Sequence, residues 1–424
     1  MPNKKALILL FAILVIISGF LMAVQPVSTA DTAKVLHSFG EGDDGVSPRS
    51  GLVFDAAGSL YGTTYAGGAF KAGTVFKLTP NTNGKWKEKV LHSFGKGKDG
   101  ASPYAGLVFD GAGNLYGTTG AGGAHNNGTV FEVMPGADGG WTEKILHSFD
   151  LNGKDGALPL AGLIFDSAGN LYGTTATGGD VPCDPPNGCG TVFKLTPGTN
   201  GQWIHTGLHS FRGNGATSRD GANPEASLIF DANGNLYGTT AAGGRSYGTV
   251  FELTPGSNGS WTESVLYRFC AVQHCVDGTH PFAGLIFDAQ GNLYGTTSGG
   301  GAFCSNGGCG TVFQLTPGAG GNWTKNVLHS FRGRADGAGP LGNLAFDASG
   351  NLYGTTVTGL QNTGTVFQLS QVNGQWTNTV LYTFKSWQGF EPFDGVIFDA
   401  AGHLYGTASS GGAYSGGTVF QITP

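Results

Sequence analysis

Six aspartates recur at one place in an Asp-Gly-x-x-Pro segment: Asp44, Asp99, Asp155, Asp220, Asp277 and Asp336. Gathered in a ring they would form a collar of hard oxygen donors, suited to a cation such as Ca²⁺. The plainer reading is turn chemistry, because an Asp before Gly bonds back to its own backbone. A second set breaks the repeat instead of following it. Just after the proline most copies carry Tyr104, Leu160, Phe282, Leu341 or Phe393, but two carry Arg49 and Glu225, and Asp394 follows one position later. Charged groups at such a place would contact a ligand, or each other through a salt bridge. His274 and His280 would join them from an adjacent loop, and carboxylates and imidazoles are the groups that serve as general acid or base. No Gly-x-Ser-x-Gly elbow and no His-Glu-x-x-His zinc signature is present, so no motif fixes a reaction.

These residues have to be positioned by a repeat. Phe-Asp recurs as Phe54-Asp55, Phe109-Asp110, Phe165-Asp166, Phe230-Asp231, Phe287-Asp288, Phe346-Asp347 and Phe398-Asp399, at intervals of 52 to 65 residues. Each copy reads as four short strands. Gly-Leu-Val-Phe-Asp is the first, and Asp-x-x-Gly then makes a tight turn. Leu-Tyr-Gly-Thr-Thr is the second, its central Gly implying close approach of another backbone. Thr74 to Pro80 alternates with the period of a pleated strand and is the third. The fourth begins at Trp86, where Lys and Glu suit an exposed edge.

Four strands per unit at this spacing predict an all-β, seven-bladed β-propeller. The last copy lacks a fourth strand, while Lys34 to Phe39 supplies a spare one ahead of the first. The N-terminal strand should therefore complete the last blade and close the ring.

Repetition discounts most candidates. The Phe-Asp carboxylates read as turn builders. His37, His92, His147, His209 and His329, with Tyr267 and Tyr382 in the other two copies, lie on the outermost strand and are spread around the rim, so they cannot converge on one metal ion. Trp86, Trp141, Trp203, Trp261, Trp323 and Trp376 read as packing between blades. Propeller topology puts the variable loops 180–188, 212–224, 270–281 and 302–309 on one face, together with the Asp-Gly turns. Loops on a rigid scaffold commonly carry function, which makes this the expected binding face.

Composition bounds the partners. Net charge is −6 with no basic stretch beyond the N-terminus, which argues against nucleic acid. Lys4 and Lys5 precede an apolar run from Ala6 to Val24, and Ser28-Thr29-Ala30 offers a cleavage site. Residues 1–30 thus read as an export signal, with an uncleaved membrane anchor as the alternative, and 31–424 as one domain. Oxidising surroundings favour disulfides, and nearest-neighbour pairing gives Cys183–Cys189, Cys270–Cys275 and Cys304–Cys309.

The Leu-His-Ser-Phe, Asp-Gly-x-x-Pro, Gly-Asn-Leu-Tyr-Gly-Thr-Thr and Gly-Thr-Val-Phe-x-Leu-Thr-Pro segments together resemble the GloVer (Gloeo/Verruco) tandem repeat of bacterial extracellular proteins, often termed choice-of-anchor. The resemblance implies bacterial export and a repeat scaffold, and carries no reaction; no C-terminal sorting tail is expected after Pro424. The expectation is a secreted or periplasmic, monomeric, non-enzymatic binding module for an extracellular glycan or protein. The alternatives are a metal-assisted lyase or hydrolase, like streptogramin lyases or lactonases, using the channel face, and a structural envelope or adhesion component.

Overall fold

The computed structural model describes residues 33–180, 183, 188–213, 219–304, 308–359 and 362–424. The expected signal or anchor, residues 1–30, lies outside them. No helix among the described residues is long and apolar enough to cross a membrane.

Seven four-stranded antiparallel sheets stand around a central axis. Blade 1 is built from Val53–Phe54, Leu60–Thr64, Thr74–Pro80 and Trp86–Ser93, and blades 2 to 6 repeat it. In blade 7 the strands Ile397–Phe398, Leu404–Ala408 and Thr418–Ile422 are completed by Lys34–Ser38, with Lys34 opposite Gln421 and Val35 opposite Phe420. The N-terminal strand closes the ring as its sequence predicts.

The buried second strand explains why Leu-Tyr-Gly-Thr recurs in all seven copies. Gly62 pairs with Phe76, and a Cβ there would lie 2.7 Å from Cζ of Phe76 and 3.0 Å from Cδ2 of Leu52. The glycine makes room for a side chain, not for the backbone its sequence suggests. Leu and Phe on either side then form clusters that straddle blade boundaries: Leu36, Phe39, Tyr405 and Val419 of blade 7 pack with Leu52, Leu60, Phe76 and Leu78 of blade 1. The tryptophans do pack between blades, for example Trp141 on Tyr61 and Trp203 on Tyr116. The Phe-Asp carboxylates build their turns: Asp55 Oδ1 accepts the N–H groups of Ala57 and Ser59, and Oδ2 accepts the Tyr61 hydroxyl.

Two local features position everything that follows. Each outer strand carries a β-bulge, in blade 1 between the pairs Val75–His92 and Phe76–Val90, and bulges re-aim the side chains beside them. On the loop face, the connection into each blade pairs antiparallel with the loop after its second strand, as in Gly45–Val46 with Ala66–Gly67. Single bridges do the same at Ala222–Ala242, Thr279–Gly299, Ala338–Thr358 and Phe390–Ser410.

Candidate functional site

The post-proline residues of all seven blades converge. Arg49, Tyr104, Leu160, Glu225, Phe282, Leu341 and Phe393 line one cavity of about 80 Å³ at the channel mouth, above a floor that includes Gly106, Gly162, Ser227, Asn343 and Asp394. The Arg49 guanidinium lies 4.5 Å from the Tyr65 ring centroid, 5.1 Å from Phe393 and 5.5 Å from Tyr104, a cation held against three π faces. Glu225 faces the same cavity, and burial pushes its carboxyl up to about 7. No ion pair joins Glu225 to Arg49 among the described residues, so the salt bridge allowed by their charges does not form.

Asp394 belongs to the floor. Its Oδ2 accepts the Gly51 N–H at 2.7 Å, and its Oδ1 accepts the N–H of Gly395 at 2.7 Å and of Asn343 at 3.3 Å. Asn343 in turn accepts the Gly284 N–H at 2.7 Å. These two side chains knit the innermost turns of the neighbouring blades 5, 6, 7 and 1 together. Below them a second cavity of about 410 Å³ opens, lined by Leu52, Leu107, Leu163, Leu344 and Val396.

A second variable ring surrounds the mouth. The residue before each proline has positive φ, and the copies differ there: Ser47, Ser102, Leu158, Asn223, His280, Gly339 and Glu391. His280 stacks at 6.5 Å on Phe282, which lines the cavity, and burial lowers its pKa. His274 is not brought into the site; it sits exposed on the short turn Gln273–Cys275. Tyr65 and Glu391 belong to the rim and escape the sequence reading. The signal for Tyr65 was present, since other copies place Gly120, Ala176, Ala241, Ser298, Val357 or Ser409 after the second strand.

The six aspartates do not form a collar at this mouth. Each is drawn outward to the outer strand of the preceding blade. The pairs are His37–Asp44 at 3.3 Å, His92–Asp99 at 3.0 Å, His147–Asp155 at 2.9 Å, His209–Asp220 at 3.4 Å and His329–Asp336 at 3.1 Å. Tyr267 donates to Asp277 at 2.7 Å, and where the Asp is missing Tyr382 donates to Gln388. The physical reason is the bulge, which aims the His of each Leu-His-Ser-Phe at the next Asp-Gly turn. Carboxylates held in separate pairs cannot share one ion.

Each pair meets a third side chain from the following blade's outer strand: Glu88, Glu143, His205, Glu263, Lys325 or Asn378, with Ala33 in blade 7. Charge on this strand was expected to mark an exposed edge, yet Oε1 of Glu88, Glu143 and Glu263 is shielded and lacks a hydrogen-bond partner. Burial, and then the neighbouring Asp44, Asp99 or Asp220, pushes each of these carboxyls up to about 7. Burial and His147 together press His205 down to about 4, which keeps its ring neutral.

The three disulfides join the expected partners. Cys183–Cys189 and Cys304–Cys309 lie against the next connection: a Cβ on Gly213 would come within 2.6 Å of Cys183 Sγ, and one on Gly333 within 3.3 Å of Cys309 Sγ. Parts of the loops around them (181–182, 184–187, 214–218 and 305–307) lie outside the described residues.

Comparison with known proteins fits this architecture. A sequence model described as the Gloeobacter/Verrucomicrobia repeat matches residues 17–183, 144–309 and 302–424, and the chain belongs to that family. No curated protein matches the chain. Among solved structures it is similar to a protein from Lactobacillus plantarum, with a TM-score of 0.51 and 12% identity over 82% of this chain and 95% of that one. It is also similar to an ancestral GH74 enzyme, with a TM-score of 0.55 and 12% identity over 93% of this chain, and it spans 50% of that enzyme's length. At such identity the likeness concerns the fold alone.

Proposed function

We propose that this member of the Gloeobacter/Verrucomicrobia repeat family is exported and works as a binding module, its ligand an extracellular glycan or protein docked on the channel mouth. One observation carries the reading: the post-proline residues, a position at which the seven copies disagree, converge on a single cavity, while most repeated residues are consumed by packing and turns. The cavity, about 80 Å³, has room for two or three waters at ~30 Å³ each, so it would accept one protruding group while the body of the ligand rests on the rim. Tyr65, Tyr104, Phe282 and Phe393 offer apolar faces beside the polar heads of Arg49 and Glu225, a combination common in ligand sites. A panel of cell-wall and exopolysaccharide fragments, scored by thermal shift and then calorimetry, tests it. Binding should weaken at least about tenfold in Arg49→Ala, a cost of 1.4 kcal/mol. A ligand that binds this variant and Glu225→Gln as tightly as the parent places the site elsewhere.

Glu225 favours a second reading. A carboxyl near pH 7 is poised for acid–base work, so the mouth could turn over its ligand as a lyase or hydrolase. Product release abolished by Glu225→Gln, with binding retained, would select this reading over simple binding.

A further inference from the structure

We infer that the boundary between blades 2 and 3 holds a divalent transition-metal ion on His147, Asp155 and His205. One ligand atom from each of these residues lies within 4.8 Å of the others. His147 Nε2 stands 2.9 Å from Asp155 Oδ2, and His205 Nε2 stands 3.3 Å from Oδ1 of the same carboxylate. The two imidazoles stack at 4.5 Å with 8° between their planes, and their Nε2 atoms lie against the two oxygens of the one carboxylate.

His205 Nε2 is the informative atom. It is shielded from solvent and makes no hydrogen bond, although the carboxylate is close by. A buried polar atom in that condition is costly, and a ligand that fills its lone pair relieves the cost. The carboxylate is meanwhile braced by the Gly156 N–H at 2.8 Å on Oδ1 and the Asp150 N–H at 3.3 Å on Oδ2, the kind of outer support that orients metal ligands.

The sister boundaries sharpen the assignment. The corner filled by His205 is Glu at three of them and Lys325 at another, where the ammonium donates to the Asp277 carbonyl. At that one boundary the chain places a cation in the corner covalently, although burial lowers the Lys325 pKa to about 8. Two imidazoles with one carboxylate suit Zn²⁺ and its neighbours, and do not suit Ca²⁺, which takes oxygen ligands. Access is also particular to this blade. Gly207 is exposed where the other copies hold Val35, Val90, Ile145, Val265, Val327 and Val380, so no aliphatic group covers the strand beside His205. Loading requires both rings to carry their proton on Nδ1 and to splay from their stack, and three protein ligands leave a coordination position for water.

The purified, untagged protein, stripped with chelator and incubated with Zn²⁺ or Co²⁺, should retain one equivalent after desalting. The Co²⁺ form should absorb in the visible, and excess Ca²⁺ should not displace either ion. His205→Asn introduces the residue that blade 6 carries at Asn378, and His147→Tyr the one that blade 4 carries at Tyr267, so both should fold. Each should retain metal no better than about 10- to 100-fold more weakly, the range lost with even an outer partner. No retained equivalent in the parent, or equal retention in both variants, overturns the assignment.

Discussion

The buried glutamates make the residue scale measurable. Glu88, Glu143 and Glu263 ionise near 7 in the folded chain against 4.5 for an ordinary glutamate, because each is shielded and faces an aspartate. The folded state therefore holds protons that the unfolded state releases. The glutamates' contribution to stability is fully present below about pH 4.5, declines as pH rises, and is gone above about 7. Partial exposure screens the effect, leaving roughly 1 kcal/mol per site. Glu88→Gln and Glu263→Gln should each flatten the fall in melting temperature between pH 5 and 7.5, and raise it at pH 7.5. An unchanged profile in the double variant would remove these groups from the account. Gly62→Ala tests a different constraint at the same scale. The added methyl meets the Phe76 ring at 2.7 Å inside a buried strand, so the change should cost about 1–3 kcal/mol in denaturant unfolding.

At the level of elements, the sequence was legible wherever a pattern repeats. Seven Phe-Asp turns, seven second strands and one spare fourth strand are enough to derive blade number, strand order and closure. What stayed hidden depends on contacts between copies. His92 and Asp99 each recur, but only the outer-strand bulge and the antiparallel pairing of two loops bring them together. Their partnership could have been suspected from blade 6, where the Asp is lost and Tyr replaces His. His205 likewise breaks the Glu88, Glu143, Glu263 series, but it lies in a strand whose charges look solvent-facing in the sequence. Arg49 and Glu225 were found because a charge among aromatic residues is conspicuous in one dimension. The closing strand allows a direct check. Phe39 is fully buried and T-stacked on Phe76 at 5.0 Å, so Phe39→Ala should cost about 3–5 kcal/mol, as Phe94→Ala should in an interior blade. A much smaller loss at Phe39 would mean that closure contributes little to the fold.

For the whole molecule, the clusters straddle blade boundaries, so no blade has a core of its own and unfolding should be one cooperative transition. The ring is nevertheless uneven. At the boundary of blades 6 and 7 the outer strand is Lys34–Ser38, five residues against eight in Trp86–Ser93. The tryptophan that elsewhere covers the preceding blade's tyrosine has no counterpart in that strand, and Ala33 packs in the cluster around Tyr353. Fewer ladder bonds and less apolar cover lower the free energy of local opening. Amide hydrogen exchange should therefore be faster in Lys34–Ser38 and in the facing Thr418–Ile422 than in Trp86–Ser93 and Thr74–Pro80. The difference should vanish in strong denaturant, where global unfolding governs every amide. Equal protection of the two pairs in dilute buffer would show that five residues of pairing hold the seam as firmly as eight hold a blade.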